Sequence, residues 1–394
     1  MKPKVLAVAF HPGSANTISQ VIKKLKQESR VDVTIIGHKY AEQIFANKGI
    51  SCKTIRDYEL NDVSISSMEE LLDKESPNLV LSGISEQDLD NRDVIEQTTT
   101  FAAKNRGIPT LTVLEFWCDY KSVFSDINPE TNEIVNLFRF LPDQIAVLNQ
   151  EVKDDMIKNG INPSILTVTG NPYSDDLESK AKGFISEERI KLKREIGLSE
   201  EERVFFYAAN AFHIFKNEEN YWGFWDLDNI KIINDVLRED LPRKIKDRLN
   251  ITLKLHPRVP EKDLSDITQY IEDYSEGRIR IIPEHLKSID PHKLVLISDA
   301  LLTPFSTLSI ESLYMKKPCI SLQPNLKRKD HLADLTRNGI IPVGYTAEDC
   351  RSLLKKAFVE EEYRTDLIKR ATEYLKCDGK ATERVVNLVY NMMD

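Results

Sequence analysis

The chain has 394 residues, of which 41% are apolar and 30% are charged, with a formal net charge of −9. This length predicts two domains, and the composition is that of a folded protein, not a disordered one. The negative charge argues against non-specific nucleic-acid binding, which needs a basic face, although a local basic patch for an anionic ligand remains open.

Neither a membrane span nor a disulfide framework is indicated. No apolar run is long enough to cross a bilayer, and the chain leads from Met1 directly into a predicted strand. We therefore predict a cytoplasmic protein, with peripheral contact at the inner face of the membrane as an alternative. The five cysteines are scattered and lack CxxC spacing, so we expect reduced packing residues: Cys52, Cys118, Cys319, Cys350 and Cys377.

Short apolar runs alternate with helix-length segments throughout the first half of the chain. The predicted strands cover residues 5–10, 31–36, 78–83, 110–114, 144–148 and 165–169. A turn of small residues, 12–16, follows the first strand and leads into an amphipathic helix. This spacing predicts parallel strands joined by crossover helices, because parallel strands need long connections.

A second alternating series begins at residue 203. Its predicted strands cover residues 203–210, 251–255, 279–282, 294–297, 301–302, 319–322 and 341–343. The predicted fold class is therefore α/β, with two Rossmann-like, doubly wound parallel sheets that face a central cleft. We place the domains at 1–175 and 203–375, a linker at 176–202 and a C-terminal helix at 376–394.

The segment 302–318 has the pattern of a phosphate and ribose site. Thr303, Ser306 and Thr307 lie between an apolar run and a predicted helix, which carries Glu311 one turn in. The N–H groups of such a turn bind anions, and the acid accepts hydrogen bonds from ribose hydroxyls. Ordinary helix caps and an exposed acid are the alternative interpretation.

A basic cluster ends the strand predicted at 251–255. Lys254 and His256 share one face of that strand, and Pro257 and Arg258 follow. Ligands of parallel sheets bind at the carboxyl ends of strands, so this cluster could neutralise a phosphate. A surface histidine at a strand end is the alternative. With the segment 302–318, the cluster suggests a nucleotide-sugar site.

Three segments resemble the GT-B class of sugar-nucleotide enzymes, which have two Rossmann-like domains with the active site between them. Gly13 and Ser14 lie in the small-residue loop that these enzymes keep near the amino terminus. Residues 165–175 resemble the phrase V-T-G-N-P-x-x-D, and residues 307–318 resemble the segment that ends E-x-x-x-x-x-K-P. The resemblance implies a ribose-binding role for Glu311, an acceptor-side first domain and a second domain that binds the nucleotide sugar.

The Lys254–Pro257 segment resembles the His-Pro motif of transferases that build capsule, lipopolysaccharide and teichoic-acid polymers. Those enzymes use donors such as CMP-sialic acid, CMP-Kdo or CDP-glycerol, and their histidine contacts the donor phosphate. Ser306 and Thr307 resemble the paired hydroxyl motif that accompanies it. The resemblance implies a glycosyltransferase that moves a sugar from a nucleotide-activated donor to a cell-surface glycan or lipid-linked acceptor.

A second kinship is with the non-hydrolysing UDP-N-acetylglucosamine 2-epimerases. The acid of their V-E-A-G motif aligns with Glu115, and a further acid of that family falls near Glu130. Their Gly-Asp pair is replaced here by residues 82–84, and their Asp-Ser-Gly-Gly turn by residues 304–307. Epimerisation needs an acid and a base on both faces of the sugar. A 2-epimerase, a sugar-nucleotide hydrolase and an inactive nucleotide-binding scaffold all stay open as alternatives.

Activation of an acceptor hydroxyl needs a base, and Glu115 is the first candidate. It ends the strand 110–114 beside two aromatic residues, which tend to raise the pKa of a carboxyl group. A charged cap on the strand end is the alternative. His11 before the first turn is the second candidate, or else structural, and Asp119 and Asp126 are further ones.

Two other patterns bear on the donor. Asn210 and His213 open an aromatic segment, 210–228, that could stack on a base, a sugar or a lipid-linked acceptor, or could seal a domain interface. The Asp-x-Asp triplets at 88–90 and 226–228 do not directly follow strands, and we interpret them as solvated acids. We therefore expect no metal and no cofactor: the nucleotide sugar is a substrate, and side chains and helix ends neutralise its phosphate.

Overall fold

The structure is a computed structural model that describes residues 2–85, 94–128, 130–131, 133–210, 221–256, 261–275 and 277–393, without the side chains of 261–266 and 284. His213, Pro257, Arg258 and the triplet 88–90 lie outside the described residues.

The elements that begin before residue 177 are, in chain order, β1 (Lys4–Ala9), α1 (Pro12–Glu28), β2 (Asp32–Gly37), α2 (Tyr40–Asn47), α3 (Ile65–Glu75), β3 (Leu79–Ser82), α4 (Ile95–Asn105), β4 (Thr110–Val113), α5 (Tyr120–Val123), β5 (Asp126–Ile127), β6 (Ile134–Asn136), β7 (Gln144–Val147), α6 (Gln150–Lys158), β8 (Leu166–Val168) and α7 (Pro172–Gly183). The later elements are α8 (Ser186–Glu195), β9 (Arg203–Ala208), α9 (Asp226–Asp235), α10 (Arg243–Lys246), β10 (Leu249–Lys254), α11 (Glu261–Ser275), β11 (Ile279–Ile281), α12 (Pro291–Ile297), β12 (Ala300–Thr303), α13 (Thr307–Tyr314), β13 (Cys319–Leu322), β14 (Val343–Gly344), α14 (Ala333–Thr336), α15 (Ala347–Val359), α16 (Glu361–Tyr374) and α17 (Ala381–Asn391).

Two six-stranded sheets organise these elements, with the strand orders β2-β1-β3-β4-β7-β8 and β11-β10-β9-β12-β13-β14. Every neighbouring pair within them is parallel. The strands are almost wholly buried, as expected of parallel sheets that helices cover on both faces. Because both faces are buried, the strands can be recognised in the sequence as continuous apolar runs. The prediction of two doubly wound parallel sheets is confirmed.

The chain divides into two compact units, 1–176 with 375–394, and 177–374. Most of the predicted linker therefore belongs to the second unit, where Leu192 of α8 is buried and Lys193 Nζ donates to Glu200 O at 3.0 Å and Glu202 O at 2.7 Å. The C-terminal helix belongs to the first unit, because the valines of α17 pack into the same core as α1.

One predicted strand is wrong. Residues 294–297 lie in the helix α12, and the strand of this region is β12, Ala300–Thr303. A run of four apolar residues fits either a buried strand or a buried helix, so the residues before it decide. Asp290 caps α12 by accepting from His292 N at 2.9 Å, and Pro291 occupies the first helical position, which suits its fixed φ.

None of the five cysteines forms a disulfide with another, and three of them are buried. None of the helices in the described ranges is long and apolar enough to cross a membrane.

Candidate active site

A pocket of about 350 Å³ lies in the second unit, at the carboxyl ends of β9 and β10 and the amino ends of α12 and α13. β10 and β11 lie on one side of β9 and β12 to β14 on the other, so the pocket is beside the topological switch point where doubly wound sheets bind ligands. It brings together five of the predicted residues, Lys254, His256, Ser306, Thr307 and Glu311, with two that the sequence analysis missed, Asp290 and His292.

The amino end of α13 has the features of an anion site. Ser306 is its N-cap and accepts from Leu308 N at 3.2 Å, while Thr307, the first helical residue, is exposed. No acid occupies the first turn, so the positive end of the helix dipole is not offset locally. Asn210 braces the turn from outside the pocket by donating its Nδ2 to Phe305 O at 2.8 Å. A helix end with these features can bind an anion such as a phosphate group.

Glu311 is held by a histidine. His292 Nε2 lies 3.0 Å from Glu311 Oε2, and His292 Nδ1 lies 3.5 Å from Asp290 Oδ1. The imidazole therefore stands between two carboxylates and restricts the orientation of the Glu311 side chain. The sequence analysis missed His292 because it predicted a strand, not a helix, at residues 294–297. The Asp290–Pro291 pair is the signal that could have placed His292 at the start of a helix.

Two residues predicted as ligands, Lys254 and Thr303, form hydrogen bonds to backbone carbonyl groups. Lys254 Nζ donates to Lys287 O at 2.8 Å and Ile289 O at 2.7 Å, and burial lowers the pKa of this lysine. It lines the pocket while holding the loop before α12. Thr303 is fully buried and donates to Ala208 O at 2.9 Å, so it joins the ends of β12 and β9 and does not line the pocket, contrary to the prediction.

The second Asp-x-Asp triplet is not a pair of solvated acids. Asp226 is fully buried, where it accepts from Tyr207 Oη and, at 3.0 Å, from Asn210 N. Burial raises the pKa of Asp226 to about 7. Asp228 caps α9 by accepting from Trp225 N at 2.8 Å. Within the part of the chain that the structure describes, no group of three or more metal-ligating side chains is found.

In the first unit, Gly13 and Glu115 lie against one another. A Cβ atom at residue 13 would stand 2.2 Å from Glu115 Oε2, so any larger residue there would require the Glu115 carboxylate to move. Ser14 is fully buried and donates to His11 O at 3.0 Å; a Cβ atom at Gly83 would stand 2.1 Å from Ser14 Cβ. Gly13 and Ser14, predicted as part of a turn, lie in the first turn of α1. Their small side chains allow α1 to approach β3 and β4 closely, with Glu115 beside that first turn.

His11 has an aromatic environment. Its ring centroid lies 4.3 Å from that of Phe10 and 5.9 Å from that of Tyr40.

The residues of the V-T-G-N-P-x-x-D phrase, 165–175, form hydrogen bonds that connect several elements of the first unit. Asn171 Nδ2 donates to Glu115 O at 3.0 Å, and Asn171 Oδ1 accepts from Thr17 Oγ1 at 3.1 Å. Asp175 accepts from Thr382 N at 2.7 Å and so caps α17; burial raises the pKa of this carboxyl. Gly170 has a φ of 81°, which favours glycine. The phrase ties β4, α1 and α17 together.

The sequence model of the family CDP-glycerol:poly(glycerophosphate) glycerophosphotransferase matches residues 158–391, more than half of the chain. The chain is 25% identical over 239 residues to a teichoic acid poly(ribitol-phosphate) polymerase of Bacillus spizizenii, a match that covers 58% of this chain and 34% of that protein. It is 24% identical over 164 residues to a teichoic acid poly(glycerol phosphate) polymerase of the same organism, covering 40% and 35%. The match thus spans about a third of the length of these relatives.

Among solved structures, the UDP-GlcNAc 2-epimerase from Neisseria meningitidis bound to UDP-GlcNAc is similar with a TM-score of 0.71 and 16% identity, covering 98% of this chain and 100% of that one. At this identity the likeness shows the fold alone, and the predicted GT-B fold is confirmed. The matched segment 158–391 includes every residue of the pocket described above. The chain therefore belongs to the CDP-glycerol:poly(glycerophosphate) glycerophosphotransferase family.

Proposed function

We propose that this chain transfers a glycerol phosphate, or a similar polyol phosphate, from a cytidine-activated donor to a cell-surface polymer. The observation that carries the proposal is the pocket in the second unit, where a helix N-terminus with two hydroxyls, a histidine and a braced carboxylate lie together. The family description and the teichoic acid polymerases among the relatives support a cytidine donor and a phosphate-containing polymer.

Each part of such a donor has a counterpart in the pocket. The ribose hydroxyls would donate to Glu311, whose carboxylate His292 keeps in one orientation. The diphosphate would lie at the amino end of α13, with Ser306, Thr307 and His256 around it. The amino end of α13 and the His256 side chain would offset the negative charge of the diphosphate. We therefore expect transfer to proceed without a divalent metal.

The proposed step is a displacement at phosphorus. An acceptor hydroxyl oxygen forms a bond to the β-phosphorus of the donor, the bond from that phosphorus to the bridging oxygen breaks, and CMP leaves with the oxygen. The hydroxyl proton passes to a base, for which Glu115 and His11 stay our candidates. Transfer of a sugar would instead break the bond at the anomeric carbon and release the nucleotide with its phosphates.

Binding and product analysis would test this function. We would titrate the protein with CMP, CDP-glycerol, UDP and UDP-GlcNAc by calorimetry, and then follow release of CMP with a teichoic-acid primer, with and without EDTA. We expect CDP-glycerol to bind and to release CMP only with the primer present. The Glu311→Gln variant should bind at least about tenfold more weakly, because a charged acceptor of ribose hydrogen bonds is lost. Glu373→Gln, on the exposed face of α16, is the matched control.

The alternatives have distinct outcomes. Preferred binding of UDP-GlcNAc, with its epimerised product formed without any acceptor, would show a 2-epimerase and contradict the proposal. The fold shared with the Neisseria enzyme makes that test necessary. Nucleotide binding with no turnover on any primer would favour an inactive scaffold.

A further inference from the structure

A basic and aromatic surface adjoins the pocket in the second unit. We call it the cationic surface, and its residues are Trp222, Phe305, Lys327, Arg328, Lys329 and His331. Lys327, Arg328 and Lys329 are consecutive and exposed, in a chain whose formal net charge is −9. Such a local excess of positive charge on an acidic protein indicates an anionic partner.

The one acid within this run is directed into the protein. Asp330 accepts from Gln323 Nε2 at 2.9 Å, Leu332 N at 2.8 Å, Thr336 Oγ1 at 2.8 Å and Tyr345 Oη at 2.7 Å. Burial alone would raise the pKa of Asp330, but these hydrogen bonds hold it below its ordinary value. The carboxylate thus fixes the loop from inside, and the residues around it present positive charge outward.

A second contact fixes the loop from the side. Lys327 N donates to Trp222 O at 2.8 Å, and Asn325 Nδ2 donates to Gly223 O at 3.1 Å. Gly223 has a φ of 104°, and a Cβ atom there would stand 1.9 Å from Asn325 O. Only glycine permits this approach, so the backbone that carries the cations is held in one position and is not a loose loop.

The aromatic rings connect the cationic surface to the pocket. The Trp222 ring lies 4.7 Å from Phe305 and 4.8 Å from His331, and Arg328 Cζ lies 5.3 Å above the Trp222 ring. Phe305 directly precedes Ser306, which lines the pocket. A ligand on this surface therefore lies next to the site proposed for the donor phosphates.

We propose that the cationic surface binds the phosphodiester backbone of the acceptor polymer next to the donor pocket, an inference that rests on the proposed function. Arginine and lysine bind successive phosphates, and the aromatic faces pack against the carbon chain between them. We favour the polymer over a membrane surface, because the guanidinium of Arg328 lies over the Trp222 ring and so opposes insertion of this aromatic side chain into a lipid interface.

The test is direct binding of a synthetic oligo(glycerol phosphate), measured by calorimetry at low and high salt. The variant Lys327→Gln/Arg328→Gln/Lys329→Gln should bind the oligomer on the order of tenfold more weakly or worse, and with a shallower salt dependence, because ionic contacts are lost. Its affinity for CMP should stay at the parent value, which also shows that the variant is folded. The matched control Arg243→Gln/Lys244→Gln/Arg248→Gln removes three exposed cations elsewhere in the same unit and should bind the oligomer normally.

Three outcomes would overturn the inference. If the triple variant binds CMP and the oligomer as the parent does, or if the control loses as much affinity, the cationic surface is not the polymer site. Binding to phosphatidylglycerol vesicles but not to the oligomer would assign the surface to a membrane instead. If the triple variant fails to bind CMP, the single variant Arg328→Gln would be measured in the same way. Parent-level binding of both CMP and the oligomer by that variant would overturn the inference. Failure of the parent protein to bind CMP or CDP-glycerol would count against the proposed function itself.

Discussion

His292 Nε2 lies 3.0 Å from Glu311 Oε2, within the pocket at the amino end of α13. The two residues come from different helices, and Asp290, the cap of α12, contacts the other ring nitrogen of the histidine at 3.5 Å. The start of α12 and the orientation of Glu311 thus depend on one another. An acid that must face ribose hydroxyls benefits from such a contact, because its rotamer is chosen before the ligand arrives.

The first prediction concerns His292 as a positioning residue. His292→Ala should weaken nucleotide binding about tenfold while kcat at saturating donor changes little, because Glu311 loses its orienting contact but keeps its charge. The measurement is donor KM and kcat, with CMP affinity by calorimetry. His285→Ala, an exposed histidine of the same unit, is the control. A large fall in kcat with unchanged KM would show that His292 acts on the reaction and not on the orientation of Glu311.

The second prediction concerns Glu115 as the base. Glu115→Gln keeps the size of the side chain and removes its proton-accepting charge, so donor binding should survive while turnover falls on the order of a hundredfold or more. Parent-level turnover would make Glu115 structural and leave His11, Asp119 or Asp126. The exposed Glu130 provides a comparison, since a similar loss in Glu130→Gln would support the acid pair of the epimerases.

The third prediction concerns the packing of Gly13 on Glu115. Alanine in a helix is normally favoured over glycine by up to about 1 kcal/mol, but here its methyl group would collide with the Glu115 carboxylate. We expect Gly13→Ala to lower the free energy of unfolding by about 1–3 kcal/mol, as overpacking does. Gly183→Ala in α7 meets no atom within 4 Å and should not destabilise the protein. Equal melting temperatures for the two variants in thermal unfolding would contradict the packing argument.

The fourth prediction concerns the buried acid Asp226, whose pKa is raised by burial from its ordinary 3.8 to about 7. Between these values the folded chain holds a proton that the unfolded chain releases, so this group stabilises the fold fully below pH 4 and loses that contribution as pH rises through 7. The slope is at most about 1.4 kcal/mol per pH unit. Asp226→Asn lacks the titration, so the stability of the parent relative to the variant should fall from pH 4 to 7 and then level off in denaturant titrations. A difference that does not vary with pH would refute the protonated state.

Local patterns in the sequence were sufficient for most strands of the two large sheets and for the cap of α13. Parallel strands are covered on both faces, so β1 is apolar from Val5 to Ala9 and can be recognised without knowledge of its neighbours. Ser306 is a cap because its own helix needs one. Glu311 was a candidate because it lies one turn into a helix, and His256 because it follows the end of a strand. Both residues line the pocket.

Tertiary structure alone decided what these side chains contact. A run of four apolar residues is too short for its periodicity to distinguish a helix from a strand. Residues 294–297 are helical because α12 begins upstream of them, at the cap Asp290. Lys254 and Thr303 were predicted as ligand residues and Asp226 as a solvated acid, yet carbonyl and hydroxyl groups from distant segments form hydrogen bonds with all three. Partners far apart along the chain leave no local signature, because hydrogen bonding and burial depend on distance in space. For the same reason the return of α17 to the first unit, beside α1, could be seen only in the fold.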